Sequence, residues 1–184
     1  TFEQFAKVGE AGVTIMVQDA PLSGVDLPVP LLIKMAKEIE TVKCFKIECA
    51  QAASKLRKLV LEGGDAIEGP FDGEEGITLF ADLEAGATGN MSSAMIPDLI
   101  KPVVLDYLAG EFDKSEDKYN NILPLINYEN RQCGFRATKV IMKEGGVINS
   151  DFCRHPIPPL EEQTKAGLIK LVKKYDPIAL SWGK

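Results

Sequence analysis

The sequence has few of the residues that metal centres and histidine-dependent catalytic sites require. It contains a single histidine, His155, and four cysteines that form no Cys-x-x-Cys pair. A structural zinc site and a Ser-His-Asp triad are therefore close to excluded, and the scattered cysteines indicate reduced thiols and a cytoplasmic location. We expect neither a metal nor an organic cofactor, because no cluster of ligand-type residues is visible.

Charge and hydrophobic runs exclude two further kinds of partner. Lysine and arginine total 21 against 27 aspartate and glutamate residues, which leaves a net charge of −6 without a basic run. Nucleic acid and anionic membranes are therefore not expected as partners. No segment approaches the roughly 18 consecutive apolar residues of a membrane span. The sequence also lacks the basic segment followed by an apolar one that is typical of a signal peptide.

Short apolar runs alternate with amphipathic helices over the first half of the chain. The run at 13–17 has no polar alternation and predicts a strand buried on both faces. In the helix predicted at 50–61, Lys55, Arg57 and Lys58 are expected to be solvated. Strands that alternate with helices of about ten residues indicate βα units and a parallel sheet. The predicted strands are 13–17, 42–47, 65–69 and 86–90, the predicted helices are 28–39, 50–61 and 76–83, and a turn is predicted at 20–24.

From residue 96 onward the pattern is helical. Neither the G-x-G-x-x-G pattern after the first strand nor the P-loop pattern is present, so four βα units fit half of an eight-unit barrel. We predict that residues 1–95 form the C-terminal half of a (βα)8 TIM barrel and that residues 96–184 form its last helix and a helical C-terminal extension. The helices predicted in the second part are 97–109, 114–131, 135–143 and 161–175.

Two ionisable residues, Lys46 and Glu48, lie near the end of the strand predicted at 42–47. Side chains two residues apart on a strand point to the same side. If that side is the interior of a barrel, burial lowers the pKa of a lysine and raises that of a glutamate, while their attraction opposes both shifts. An uncharged lysine can form an imine with a ketone, and a carboxylate beside it can move a proton at the adjacent carbon. The same spacing also fits a structural ion pair.

Further candidate residues follow from the position of active sites in barrel enzymes, at the carboxyl ends of the strands. Glycine at such an end leaves room for a ligand to approach the backbone. Asp72 fits capping of the next helix as well as substrate binding. The predicted substrate contacts are Gln18, Asp72, Gly73, Gly89 and Met91.

Several strings in the sequence resemble one family of lysine-imine enzymes. Phe45-Lys46-Ile47-Glu48 is similar to the Schiff-base strand of the dihydrodipicolinate synthase / N-acetylneuraminate lyase family. The resemblance covers essentially all 184 residues, aligned with the second half of a family member. It implies a barrel with added C-terminal helices, a homotetramer, and imine chemistry on 2-keto acids. The other matching strings are Gln18-Asp19-Ala20-Pro21, Asp72-Gly73-Glu74-Glu75, Gly86-Ala87-Thr88-Gly89-Asn90-Met91-Ser92 and Arg154-His155-Pro156-Ile157-Pro158-Pro159-Leu160.

Longer strings resemble the branch of this family that dehydrates 2-keto-3-deoxy pentonates. This likeness implies a hydro-lyase of pentose catabolism that converts 2-keto-3-deoxy-L-arabonate into 2,5-dioxopentanoate. Lys46 would then be the nucleophile and Glu48 the proton-transfer group. The strings are Gly63-Gly64-Asp65-Ala66-Ile67-Glu68-Gly69-Pro70, Leu125-Ile126-Asn127-Tyr128-Glu129-Asn130-Arg131 and Met142-Lys143-Glu144-Gly145-Gly146-Val147-Ile148.

Two departures from the family pattern weaken synthase activity as the interpretation. Gln18 stands where the synthase and lyase branches carry a proton-relay tyrosine, and Leu22-Ser23-Gly24 stands where the synthase carries a carboxylate-binding arginine. Glu48 is therefore the expected general acid and general base. Two alternatives remain: another imine enzyme of the family, either an aldolase or the synthase, and a half-barrel that binds a partner without catalysis.

Overall fold

The computed structural model describes residues 1–20 and 24–184 of the chain. These residues form two compact units, Thr1–Met91 and Ser92–Lys184. Residues 21–23 of the turn predicted at 20–24, and with them most of the Leu22-Ser23-Gly24 departure, lie outside the described residues.

The first unit is a layer of parallel strands covered by helices, which confirms the predicted α/β class. In the described residues its sheet has four strands in the order β1-β2-β3-β4, and every neighbouring pair is parallel. The sheet order therefore follows the chain order, as in consecutive βα units. The elements are α1 (Phe2–Gly9), β1 (Ile15–Asp19), α2 (Val29–Glu38), β2 (Val42–Ile47), α3 (Ala52–Gly63), β3 (Phe71–Asp72), α4 (Leu79–Glu84) and β4 (Gly89–Asn90).

The core of this unit lies between β2 and the helices α2 and α3. Each of the two helices places apolar residues three or four positions apart, which forms a stripe along one side. These stripes pack on the same face of the sheet, so that this face is dry. The buried residues include Leu32, Met35 and Ala36 of α2, Phe45 and Ile47 of β2, and Leu56 and Leu59 of α3.

A β-bulge sets which side chains of β2 face the helices. Ile15 is paired with Val42 but Met16 is paired with Cys44, so Lys43 is the additional residue in β2. An additional residue reverses the alternation at that point. Val42 therefore shares the helix-covered face with residues 45 and 47, and Lys46 is directed to the opposite face.

The prediction for the first strand is wrong in position and in burial. The strand begins at Ile15 and ends at Asp19, and only Val17 and Asp19 within it are buried. Met16 is exposed and so is Gln18. In the described residues β1 pairs with β2 alone, and its second face, which carries Met16 and Gln18, is exposed.

The strands predicted at 65–69 and 86–90 are also displaced. A 3-10 turn, Gly64–Ala66, occupies the start of the first segment, and β3 consists only of Phe71 and Asp72. The segment before β3 already lies alongside β2, since the N–H of Glu68 donates to the carbonyl of Lys43 in β2 at 3.0 Å. The helix predicted at 76–83 and the strand at 86–90 begin three residues later, at Leu79 and Gly89.

The second unit is helical, as predicted. The helices pack through buried apolar residues such as Val103, Leu125, Ile141 and Leu168. A loop residue, Asp151, accepts hydrogen bonds from two lysines of these helices, and their ammonium groups hold the pKa of its carboxyl well below the usual range. The elements are α5 (Pro97–Leu108), α6 (Phe112–Tyr128), a π-helical turn (Glu129–Cys133), α7 (Arg136–Glu144), α8 (Glu162–Val172) and a 3-10 turn (Ile178–Leu180). Among residues 1–20 and 24–184, none of the helices has the length and apolar composition needed to cross a membrane.

Candidate active site

Lys46 and Glu48 contact each other on the sheet face that the helices leave open. The Lys46 Nζ lies 2.6 Å from Glu48 Oε2, and the two side chains are only 15% and 21% exposed. Lys46 belongs to β2 and Glu48 follows the last residue of that strand, so the period of two directs both side chains the same way. The predicted pairing of an amine with a carboxylate is therefore present in the structure.

Gln18 joins this pair from the neighbouring strand. The Cα atoms of Gln18 and Lys46 are register partners in the β1–β2 ladder. The Nε2 of Gln18 donates a hydrogen bond of 2.5 Å to Glu48 Oε2, the oxygen that also contacts Lys46. One carboxylate oxygen thus receives an ammonium and an amide donor, and such charge-assisted hydrogen bonds are the stronger kind.

The backbone around Glu48 is held from both neighbouring strands. Its N–H donates to the carbonyl of Asp19 at 2.9 Å, and the preceding carbonyl, that of Ile47, accepts from the N–H of Gly73 at 2.9 Å. A Cβ on Gly73 would lie 2.8 Å from the Glu48 Cβ, so this position has no room for a side chain. The predicted residue Gly73 is therefore in direct contact with Glu48.

Gly89 and Met91 lie farther along the same edge of the sheet. Gly89 is the register partner of Phe71, which is in turn the partner of Lys46. Gly89 is thus two strands from Lys46, about 10 Å at the spacing of adjacent strands. A Cβ on Gly89 would lie 2.9 Å from the Phe71 ring, which covers this glycine. Met91 is 38% exposed just beyond β4.

Asp72 does not share the face of Lys46, which corrects its predicted place beside the substrate. It is the register partner of Ile47, whose side chain is in the core, and it is fully buried. Its carboxylate accepts a hydrogen bond from the Glu74 N–H at 3.0 Å and another from the Asn90 side chain. The alternative interpretation as a capping residue is therefore closer, since Asp72 caps the turn that follows β3.

A second buried acid, Asp82 of α4, accompanies Asp72. Burial raises the pKa of Asp82 to about 7; a hydrogen bond from Thr78 opposes this shift, and the Asp72 carboxylate adds to it. Burial raises the pKa of Asp72 also, against its hydrogen bonds from Glu74 and Asn90. Two adjacent buried carboxylates share a proton because the repulsion between two negative charges disfavours ionisation of the second one. Asp82 is not among the predicted site residues, although its place between Leu79 and Leu83 of one helix is a sequence signal for a buried acid.

Lys55 is part of a buried ion pair, which corrects the prediction of a solvated helix face. Its Nζ lies 2.5 Å from Asp19 Oδ2 and 2.7 Å from Asp26 Oδ1, and its side chain is 13% exposed while that of Asp19 is fully buried. Burial would lower the pKa of Lys55, but the hydrogen bonds to Asp19 and Asp26 raise it. Asp19 also accepts the Leu27 N–H at 3.1 Å. A carboxylate at the end of β1 thus obtains the partners that its burial requires.

Among the described residues, no three histidine, cysteine, aspartate or glutamate side chains are grouped so that they could hold a metal ion. The ionisable groups at the open face include the amine of Lys46 and the carboxylate of Glu48, which lie beside the amide of Gln18. An amine next to a carboxylate is suited to nucleophilic attack followed by local proton transfer.

Known proteins resemble this chain over nearly its whole length. The sequence matches the Dihydrodipicolinate synthetase family over residues 2–175. It is 52% identical over 182 residues to an L-2-keto-3-deoxyarabonate dehydratase from Azospirillum brasilense. The aligned residues cover 98% of this chain and 59% of that protein. The chain therefore spans about three fifths of the length of this relative.

Solved structures share the fold at lower identity. A dihydrodipicolinate synthase from Aquifex aeolicus superposes with a TM-score of 0.86 at 20% identity, over 95% of this chain and 60% of that one. The enzyme of the same name from Rhodopseudomonas palustris gives a TM-score of 0.81 at 24% identity, over 95% of this chain and 62% of that one. These structures support the arrangement of strands and helices.

Proposed function

Because the chain belongs to the dihydrodipicolinate synthetase family, we propose that it is the part of a lysine-imine dehydratase that carries Lys46 and Glu48. The observation that carries the proposal is the 2.6 Å contact of Lys46 Nζ with Glu48 Oε2, on a sheet face without covering helices. The substrate that we propose is 2-keto-3-deoxy-L-arabonate, and the product is 2,5-dioxopentanoate. The 52% identity to a dehydratase of that name supports this choice over an aldolase or the synthase.

The proposed reaction begins with the amine of Lys46. Glu48 accepts a proton from the ammonium across the 2.6 Å contact, and the free amine attacks the C2 ketone. Glu48 returns this proton to the hydroxyl group of the carbinolamine, which leaves as water, and Glu48 is a carboxylate again. The protonated imine that forms carries a positive charge that acidifies the hydrogens on C3. Glu48 then takes a C3 proton, and an enamine forms.

The enamine expels the C4 hydroxyl group as water, with Glu48 returning the proton. Tautomerisation and hydrolysis of the imine release the product and free Lys46. The water lost on imine formation is regained on hydrolysis, so the net reaction removes one water from the substrate. We propose that Gln18, Gly73, Gly89 and Met91 border the substrate, whereas Asp72, buried on the other face of the sheet, does not contact it.

The proposal extends to the architecture of the intact protein. In the described residues β1 and β4 each pair with one strand only, and an unpaired edge is normally covered in a native protein. We propose that residues 1–95 are the C-terminal half of a (βα)8 barrel closed by further strands, that residues 96–184 carry its last helix and the helical extension, and that the assembled enzyme is a cytoplasmic homotetramer.

Borohydride trapping on the intact protein tests the imine. Incubation with pyruvate or 2-keto-3-deoxy-L-arabonate and borohydride is expected to leave a reduced adduct on the peptide that contains Lys46. Lys46→Ala should abolish both the adduct and dehydration. Lys43→Ala is the matched control, because Lys43 lies on the same strand but pairs with the exposed Glu68. Absence of any adduct in the wild-type protein would overturn the proposal.

A second variant separates imine formation from proton transfer. Glu48→Gln should still form the adduct, more slowly because water must then accept the Lys46 proton, while dehydration slows by about 10² to 10⁴, the usual contribution of general acid–base catalysis. Formation of a carbon–carbon bond from pyruvate and an aldehyde, without dehydration of the keto-deoxy acid, would instead assign the chain to an aldolase or the synthase.

A further inference from the structure

We infer that Gln18 is a positioning residue that keeps Glu48 aligned for proton transfer at C3 once Lys46 has become an imine. This inference rests on the proposed function and assigns Gln18 a task in one step of it. Gln18 would contribute little to imine formation itself.

The contacts of a single oxygen atom carry the inference. Glu48 Oε2 receives the Lys46 ammonium at 2.6 Å and the Gln18 amide at 2.5 Å. In the free enzyme either donor would hold this carboxylate, so the amide is redundant there. The two donors differ in what happens to them during the reaction.

Imine formation removes most of the hold that Lys46 has on Glu48. The ammonium group of a lysine has three N–H donors. Condensation of the ammonium form with the ketone removes two of these three hydrogens together with the carbonyl oxygen, as water, and the protonated imine retains one N–H. The direction of that N–H is fixed by the plane of the C=N bond and hence by the substrate. Gln18 is then the donor to Glu48 Oε2 whose position does not depend on the substrate.

The neutrality of the amide suits the step that follows. Glu48 must be held in place and still be basic enough to take a proton from carbon. A second cation at the position of Gln18 would stabilise the carboxylate further and weaken it as a base. An amide fixes its direction with a hydrogen bond without adding a full charge.

Backbone hydrogen bonds hold Gln18 in a fixed position relative to Glu48. Its neighbour Asp19 accepts the Glu48 N–H at 2.9 Å, so the end of β1 contacts Glu48 through backbone and side chain. The Asp19 carboxylate is itself bound by Lys55 at 2.5 Å and by the Leu27 N–H at 3.1 Å. These bonds anchor the end of β1 on the helix-covered face while Gln18 acts on the open one.

Exchange of the C3 hydrogens of pyruvate for deuterium measures this step directly. In D2O the intact wild-type protein should exchange the methyl hydrogens of pyruvate through the enamine, and NMR follows their loss. Gln18→Leu preserves size but removes the donor, and it should slow exchange and kcat for dehydration about tenfold to a hundredfold, the usual effect of losing a hydrogen bond to a charged group. The rate of borohydride trapping and the KM should stay within about threefold of wild type.

Two further variants separate positioning from a structural effect. Gln18→Asn keeps the amide but shortens the side chain, and it should slow exchange as Gln18→Leu does. Met16→Leu changes an exposed residue of the same strand and should alter neither rate. The inference is overturned if Gln18→Leu exchanges at the wild-type rate, or if trapping falls in parallel with exchange. Failure of the wild-type protein to form any adduct would overturn the proposed function instead.

Discussion

The N–H of Gly73 donates a 2.9 Å hydrogen bond to the carbonyl oxygen of Ile47, directly before Glu48 in the chain. The close approach of these two backbones is possible because residue 73 has no Cβ. A Cβ built there would lie 2.8 Å from the Ile47 carbonyl oxygen and 2.8 Å from the Glu48 Cβ. Because Gly73 has no side chain, Ile47 and Glu48 can approach its backbone closely, and this contact positions Glu48.

Gly73→Ala is therefore expected to displace Glu48 and to lower both stability and activity. Overpacking of this kind costs about 1–3 kcal/mol, and backbone atoms cannot rotate away as a long side chain can. Urea unfolding gives the free energy of unfolding, and the dehydration assay gives kcat. The control is Gly12→Ala, where φ is +70° and no atom lies within 4 Å of the new Cβ. It should cost about 1 kcal/mol through backbone strain and leave kcat unchanged. Wild-type kcat in Gly73→Ala would contradict this account.

The buried pair Asp72 and Asp82 predicts a stability that declines as pH rises. An aspartate in the unfolded chain has a pKa near 4, whereas burial raises the pKa of Asp82 to about 7 in the folded protein. Between these values the folded state holds one more proton, so the free energy of unfolding falls by up to about 1.4 kcal/mol per pH unit. The contribution is complete below pH 4 or so and is lost as the pH passes about 7.

Asp82→Asn should remove this slope, because an amide occupies the same space, donates to Asp72 and does not ionise. Urea unfolding of the intact protein at several pH values from 5 to 8 measures the slope. Asp65→Asn is the control, since Asp65 is exposed in the same unit. If the slopes of wild type and Asp82→Asn coincide, the shared proton does not act on stability.

The ion pair of Lys55 with Asp19 predicts a large loss for a neutral substitution. Lys55→Met keeps the length of the side chain but leaves the fully buried Asp19 carboxylate without its cation. Breaking a buried pair from one side costs about 3–5 kcal/mol. Lys58 is exposed and lies three residues after Lys55 in α3. Lys58→Met should therefore change stability by less than about 0.5 kcal/mol. Thermal unfolding of both variants gives the comparison, and equal effects would contradict the buried pair.

Part of this structure could be predicted because local patterns decide it. The bounds of β2, 42–47, follow from a run of apolar and β-branched residues that no helix period fits. The helices of the second unit lie within about three residues of their predicted positions, since apolar stripes mark them. The shared side of Lys46 and Glu48 needs only the period of a strand.

Other features could not be predicted because their causes lie far along the chain. β3 and β4 have two residues each, and only their bonds to neighbouring strands define them. With a strand expected at 65–69, Asp72 fell in a loop, and its actual register beside Ile47 turned its carboxylate to the helices. Lys55 resembles any surface lysine until Asp19, 36 positions earlier, is brought beneath it.

The sequence by itself determined the kind of elements, the contents of each apolar stripe, and the presence of an amine and a carboxylate on one side of one strand. Tertiary structure decided which residues face them: Gln18 stands opposite Lys46, and Asp72 stands opposite Ile47. The reason is that side chains alternate with a period of two, so that a shift of one residue between strands exchanges the faces. That shift is set by the packing of helices and by hydrogen bonds between distant segments.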